Sequence, residues 1–270
     1  MPINRKKIFG WIKVIVILYC GIGISLYYLQ WKILFHPKKL ETNHVFQFTK
    51  PFKEISIPIN ETDTISMVKF YPADSLRRGV VVYYHGNMEN IEHYAPFAKN
   101  FTEKGYEVWM QDYPGFGKSR GDRTEEKMYS QAMQVMKMAA ATYGSDSIVI
   151  YGRSLGTGIA AYVASLSSCK KLILETPYYS IPDLFNSFSF IYPASYMSEY
   201  KIPTWKYLQD VQAPISIFHG DNDWIIPHRC AARLKQYLKP PDEFITIKKG
   251  GHNNLNDFPQ YHHALDSLLK

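Results

Sequence analysis

The sequence holds little that would serve redox, metal or nucleotide chemistry. Its three cysteines, Cys20, Cys169 and Cys230, give neither a paired framework nor a metal-ligand spacing. No histidine–carboxylate cluster is spaced to hold a metal, and no glycine-rich phosphate cradle of the Walker or dinucleotide type is present. No cofactor is therefore expected. After the N-terminal segment there is no low-complexity tract and no internal repeat. The net charge of +7 is spread along the chain, and without a basic stripe interleaved with aromatics it does not point to nucleic acid. An anionic membrane surface is the better partner for that excess. What the chain has is a hydrophobic content of 46% over 270 residues. That is ample for a packed core, and the length suits one large α/β domain plus an appendage, or two small domains.

The N-terminus carries the longest apolar run. Arg5, Lys6 and Lys7 precede IFGWIKVIVILYCGIGISLYYLQW, in which Lys13 is the one charge. About 20 apolar residues cross a bilayer core, and Ile8 to Leu29 supply them. Lys13 lies near the start, where its stem reaches the headgroups, and Trp11, Tyr27, Tyr28 and Trp31 flank the run as interfacial aromatics. A cleaved signal peptide is the alternative; the length of the run and the missing A-x-A-like site speak against it. Cys20 does not read as a lipoprotein cysteine, because bulky Tyr19 precedes it and the run continues beyond it. The expectation is an uncleaved single-pass anchor in residues 1–35, spanning about 8–30, followed by a catalytic domain in 36–270. The basic residues before the span put the N-terminus in the cytoplasm and the catalytic domain outside it, an asymmetry that Lys32, Lys38 and Lys39 weaken.

Beyond the anchor, FHPKKLETNHVFQFTKP reads as irregular connection. KEISIPI and ISMVKFYP alternate apolar and polar residues and suggest an antiparallel pair. From Gly79 onward the runs GVVVYYHG, YEVWMQDYPG, DSIVIYG, KKLILETP, APISIFHG and EFITIKKGG are short, apolar and separated by helix-sized segments. That pattern predicts a mostly parallel sheet with helices on both faces. Helices are expected from Asn90 to Lys104, Glu125 to Thr142, Leu155 to Leu166 and Asp257 to Leu269, the first two stopping at Gly105 and Gly144. One connection is long: residues 178–212 hold Tyr178, Tyr179, Phe185, Phe188, Phe190, Tyr192, Tyr196, Tyr200, Trp205 and Tyr207. It reads either as a short aromatic lid or as packing over the sheet edge.

The stretch YGRSLGTG follows the strand SIVIYG. Small residues two before and two after Ser154 indicate a sharp strand-to-helix turn that holds the serine at its apex, a nucleophile elbow. A serine needs a base, and the base needs an acid to orient it. Asp223, in HGDNDWIIP, and His252, in KKGGHNN, each follow a later strand, and the chain order Ser154, Asp223, His252 is that of an α/β-hydrolase. The oxyanion donors expected are the backbone N–H of Leu155 and that of Asn87 in the HGN loop, with Met88 possible for the second. Asp221 competes with Asp223 for the acid role, and Glu175, after KLILE, is a further possible acid, although an ion pair with Arg153 is its more natural use. His85 and His219 each precede a glycine at a strand end, where they would shape turns.

YYHGN, DYPGFGKSRG, YGRSLGTGIA, LETP, HGDNDWIIP and GGHNN together resemble the α/β-hydrolase superfamily over everything after the anchor, and more narrowly its Bem46-like group, related to the mammalian protein depalmitoylase branch. The resemblance implies the fold, carries the triad to Ser154, Asp223 and His252, and selects Asp223 over Asp221 through the HG-x-x-D pattern. It does not carry a substrate, since members include esterases and thioesterases. The mammalian depalmitoylases have a cysteine-rich, acylated N-terminus where this chain has a hydrophobic span. The expected activity is hydrolysis of a lipid-like acyl ester or thioester. A serine peptidase or amidase with the same triad, and a non-catalytic binding protein on the same fold, are the alternatives.

Overall fold

The computed structural model describes residues 5–73, 77–188 and 191–270, so that Phe190 of the expected lid lies outside the described residues. The chain starts with helix α1, Arg5–Leu34, about 45 Å long at 1.5 Å per residue. It has no internal proline, and most of its side chains are exposed: Phe9, Trp11 and Ile17 are each about two-thirds exposed, whereas Gln30 and Leu34 near its end are buried. Residues Lys6–Leu34 are long and apolar enough to cross a membrane.

The sheet is built from strands that carry continuous apolar runs. Strand β1, His36–Pro37, lies apart from it; then come β2, Phe52–Pro58, β3, Thr64–Phe70, and β4, Gly79–Tyr84. Strand β5 is Met88–Glu89, β6 Tyr106–Gln111, β7 Ile148–Arg153, β8 Lys171–Glu175, β9 Ile215–Gly220 and β10 Glu243–Ile247. Eight of them form one sheet in the order β10-β9-β8-β7-β4-β6-β3-β2. The pairings β2–β3 and β3–β6 are antiparallel, and the other five are parallel. Every residue of β4, β6, β7 and β9 is buried, as a strand covered on both faces requires. Edge strand β2 alternates instead.

Two cores follow from that alternation. On one face Val80, Val82 and Tyr84 of β4 meet α4, Glu125–Thr142, and α5, Leu155–Ser165. On the other, Val81 and Tyr83 meet α2, Ile91–Tyr94, α3, Lys99–Thr102, and the terminal α10, Pro259–Leu268. Thr124 caps α4 by accepting the N–H of Lys127 at 3.2 Å, with Glu125 and Glu126 in the first turn, where they complement the helix dipole. Among α6, Ile181–Phe188, α7, Ala194–Met197, α8, Thr204–Leu208, and α9, His228–Ala232, the first three fill the long β8–β9 connection.

Three expectations need correction. The helix foreseen from Asn90 to Lys104 is two short helices joined by a 3₁₀ turn, Ala95–Ala98, because Pro96 has no N–H to give the ladder. The last helix begins at Pro259 rather than Asp257, after a 3₁₀ turn Leu255–Asp257. The FHP segment is not irregular: β1 pairs in parallel with β5, His36 opposite Met88 and Pro37 opposite Glu89.

The aromatics of the β8–β9 connection divide into two groups. Tyr178 and Tyr200 are buried; Tyr179 stacks on Trp205, and Tyr207 packs edge-on against Tyr129 and Tyr162. Tyr192 instead stacks on Tyr19 of α1 at 4.7 Å between centroids. The two tyrosines also exchange hydrogen bonds with each other's segments, Tyr192 Oη to the Tyr19 carbonyl at 3.0 Å and Tyr19 Oη to the Ile191 carbonyl at 3.1 Å. Further along α1, Gln30 Oε1 accepts the N–H of Glu199 at 2.7 Å. Helix α1 is thus docked on the β8–β9 connection.

Ile150 lies fully buried in β7, between β4 and β8. Ile150→Val should lower unfolding stability by about 0.5–1.5 kcal/mol and Ile150→Ala by about 2–5 kcal/mol. Urea titrations of the two variants that gave equal losses would contradict the tight packing described for this strand.

Candidate active site

The strand ends place the site. Register sets Tyr84 opposite Gly152, Arg153 opposite Glu175 and Glu175 opposite Phe218, so the loops after β4, β7, β8 and β9 emerge side by side. Functional loops gather at the carboxyl ends of parallel strands. Between β7 and α5, Ser154 has φ 51° and ψ −119°, a backbone conformation that costs a non-glycine residue about 1–3 kcal/mol. It is held there by its own N–H donating to the Glu175 carbonyl at 2.9 Å and by its carbonyl accepting from Thr157 Oγ1 at 2.6 Å. The turn is so tight that a Cβ on Gly152 would lie 2.5 Å from the Gly156 carbonyl oxygen, and one on Gly156 would lie 2.1 Å from that of Tyr84. The two glycines are required by close approach of backbone to backbone.

His252 joins Ser154 to Asp223. Its Nε2 is 2.9 Å from Ser154 Oγ and its Nδ1 is 2.8 Å from Asp223 Oδ2. A carboxylate can only accept, so Nδ1 carries the proton and Nε2 offers its lone pair to the serine hydroxyl. Asp223 is fixed in turn: Oδ1 accepts the N–H groups of Ile225 and Ile226 at 2.9 and 2.8 Å. The loops bearing Asp223 and His252 are locked together, because Asn222 N–H donates to the Gly250 carbonyl at 2.9 Å and Asp221 Oδ1 accepts the Lys249 N–H at 2.6 Å. Asp221 therefore shapes the turn, and the structure brings Asp223, not Asp221, to the histidine.

Glu175 is committed elsewhere. Buried at the end of β8, it pairs with Arg153 Nε at 3.2 Å and accepts from Tyr261 Oη at 2.8 Å and from Tyr151 Oη. Arg153 also lies over the Phe97 ring and donates to the Asn253 carbonyl at 3.2 Å, directly after His252. The pair buttresses the elbow and the histidine loop from beneath. Sequence reasoning found the pair but not its hold on Asn253, which depends on a contact 100 residues away.

The loop after β4 lies against the serine: a Cβ on Gly86 would be 3.6 Å from Ser154 Cβ and 2.6 Å from Tyr94 Oη. The first residue of α5, Leu155, has no intrahelical acceptor for its N–H. Of the two candidates for the second donor, Met88 has its N–H bonded to Tyr94 Oη at 3.3 Å. Asn87 is held from both sides, its Nδ2 donating to the Leu34 carbonyl at 2.7 Å and its carbonyl accepting the His36 N–H at 2.9 Å. The end of α1 is thereby stitched to this loop, a connection that no local motif announced. His85 is fully buried, with Nδ1 donating to the Gly86 carbonyl at 2.7 Å, and its loop is pinned by Tyr113 Oη on the His85 carbonyl at 2.7 Å.

His219 is fully buried beneath Asp223, its Nε2 donating to the Ile226 carbonyl at 2.9 Å. Burial pushes its pKa down to about 4, so the imidazole is neutral. An unfolded chain takes up a proton near pH 6.5, whereas the folded one does not until about pH 4. Stability must therefore fall as pH drops through that window, by about 3 kcal/mol from this residue when the whole window is crossed. His219→Gln, which keeps a donor for Ile226, should flatten the decline between pH 6.5 and 4 in urea titrations of the detergent-solubilised chain. An unaltered slope would contradict the neutral buried imidazole.

The profile described as serine aminopeptidase, S33, matches residues 75–206, a stretch that holds Ser154 but ends before Asp223 and His252. An alpha/beta hydrolase of Acanthamoeba polyphaga mimivirus is 26% identical over 83% of this chain and 83% of its own length. The lysophosphatidylserine lipase of Macaca fascicularis is 28% identical over 63% of this chain, which spans 48% of that relative. The crystal structure of a Pyrococcus furiosus esterase superposes with a TM-score of 0.69 at 18% identity, covering 87% of this chain and 97% of the esterase. Strand order, elbow and similarities agree: the chain has the α/β-hydrolase fold and is similar to hydrolase-domain proteins.

Proposed function

We propose that this protein is a membrane-anchored serine hydrolase that cleaves carboxylic esters or thioesters of lipid-like acids through an acyl-enzyme. The observation that carries this reading is the unbroken hydrogen-bonded chain from Asp223 through His252 to the strained Ser154. The names of the relatives, a lipase and an esterase, support action on ester bonds. Ser154 Oγ attacks the acyl carbon while His252 Nε2 takes its proton, and Asp223 stabilises the imidazolium by accepting from Nδ1. The carbonyl oxygen becomes an oxyanion facing the N–H groups of Leu155 and Asn87. As the tetrahedral centre collapses, the bond to the leaving alcohol or thiol breaks and His252 returns the proton to it. Water, deprotonated by His252, then attacks the acyl-enzyme and releases the acid.

The exposed apolar length of α1 and the basic residues before it support a single-pass anchor with its N-terminus in the cytoplasm and domain 36–270 outside, residues 178–212 serving as the lid. An amide-cleaving reading stands second, favoured by the aminopeptidase description of the matched profile; it uses the same triad with a leaving amine.

The full chain in detergent should hydrolyse p-nitrophenyl acyl esters and react with a fluorophosphonate probe. Ser154→Ala should abolish labelling and lower kcat by about a million-fold, and Asp223→Asn should lower it by about ten-thousand-fold. A folded Ser154→Ala protein as active as its parent would refute the proposal, and faster turnover of an aminoacyl anilide than of any ester would put the amide reading first. In sealed vesicles with the cytoplasmic face outward, added protease should leave the domain intact; digestion would reverse the assigned topology.

A further inference from the structure

Helix α1 and the β8–β9 connection enclose a cavity of about 330 Å³, within the range of small-molecule sites. Ile22, Leu26 and Ile33 form one wall, and Phe185, Phe188 and Met197 the other. Three of the four polar side chains at its edge bond within the protein. The Gln30 amide bonds the backbone of Tyr27 and Glu199, the Ser198 hydroxyl that of Tyr200, and the Tyr192 hydroxyl that of Tyr19. With Tyr27 as the fourth, the lining is otherwise apolar, and a water there would find few partners.

Depth along α1 says what surrounds the opening. Tyr19, which grips Ile191 and Tyr192, lies ten residues before Leu29, the end of the expected span, or about 15 Å along the helix. If α1 crosses the bilayer, the connection alongside it enters the hydrocarbon of one leaflet. Among its described residues the large exposed apolar side chains are Phe188, Ile191 and Tyr196, the last 88% exposed. Large exposed apolar groups of this kind mark membrane or partner contacts. Phe188 also borders a second depression, lined by Asp223, Trp224 and His228. Phe188 is thus shared between the apolar cavity and the depression beside the Asp223 loop.

We infer that this cavity is the acyl-chain site of the enzyme, formed jointly by the anchor helix and the lid and filled sideways from the bilayer by a chain of a membrane lipid ester. The anchor then has two functions, since it holds the enzyme to its substrate phase and supplies half of the wall that the substrate's tail touches. The clasp between β1 and β5, with Leu34 bonded to Asn87, fits this arrangement by keeping the Asn87 loop, which lies beside Ser154, within a few residues of the membrane surface. The inference rests on the serine-hydrolase and membrane-anchor reading.

The test uses the full chain in lipid nanodiscs. A palmitoyl ester carrying a diazirine in its chain should, on irradiation, label cavity residues of both walls, Leu26 on α1 and Phe185 or Met197 on the connection. Filling the cavity from either side, by Leu26→Trp or by Ala194→Leu, should cut lid labelling several-fold. It should also lower the ratio of kcat/KM for a sixteen-carbon over a two-carbon p-nitrophenyl ester by tenfold or more. Ile15→Trp, on the same helix but away from the cavity, should preserve that ratio. Labelling that runs along α1 without reaching the lid, or labelling and ratio unmoved by both filling variants in folded protein, would overturn the inference. Absence of any ester turnover and of fluorophosphonate labelling at Ser154 would sink the hydrolase reading instead, while the labelling pattern would still decide whether the cavity takes an acyl chain.

Discussion

The backbone of Ser154 is the constraint on which the rest depends. A serine at φ 51° holds that shape only when neighbouring structure over-determines it. Here the Glu175 carbonyl accepts its N–H, and the Tyr84 and Gly156 carbonyls leave no room for a Cβ on Gly156 and Gly152. Their spacing exists because β4, β7 and β8 lie adjacent and in register. The buried strands thus do more than fill a core; they supply the walls of a turn that holds the hydroxyl beside His252. The Arg153–Glu175 pair extends the same bracing to the histidine loop through Asn253.

A second set of contacts ties the site to the N-terminal helix. Leu34, His36 and Lys38 bond to Asn87 and Glu89, while Phe35 packs against Phe116 and Tyr200. Tyr19 and Gln30 grip the β8–β9 connection. Together they join the Asn87 loop, the β8–β9 connection and α1 into one packed unit, so that loss of the helix would be felt at the loop beside the serine.

Much of this was legible from residues. Continuous apolar runs in β4, β6, β7 and β9 announced strands buried on both faces, because such strands have no solvent side on which to place polar groups. Gly152 and Gly156 announced the elbow because only a missing Cβ permits that approach. Asp223 and His252 were found by their places after later strands. The helix from Asn90 was drawn too long, since its apolar pattern ran through Pro96 and length was weighed above the missing N–H. The aromatic connection was ambiguous in sequence for a physical reason: a tyrosine that seals a core and one that stacks on an exposed apolar helix are the same residue, and only their neighbours separate Tyr178 from Tyr192.

The sequence by itself determined the fold class, the order of the three candidate catalytic residues and the apolar length of α1, because periodicity, strand-end glycines and run length are local properties written residue by residue. The tertiary structure alone decided that Arg153, paired with Glu175, holds the Asn253 carbonyl, that His219 is buried neutral beneath Asp223, that His36–Pro37 is a strand clasped to the Asn87 loop, and that α1 and the β8–β9 connection border a cavity. Apart from His219, whose bond to Ile226 is local, these rest on contacts between segments tens to a hundred or more residues apart, and no local pattern encodes which distant backbone will satisfy a guanidinium, a strand edge or a helix face.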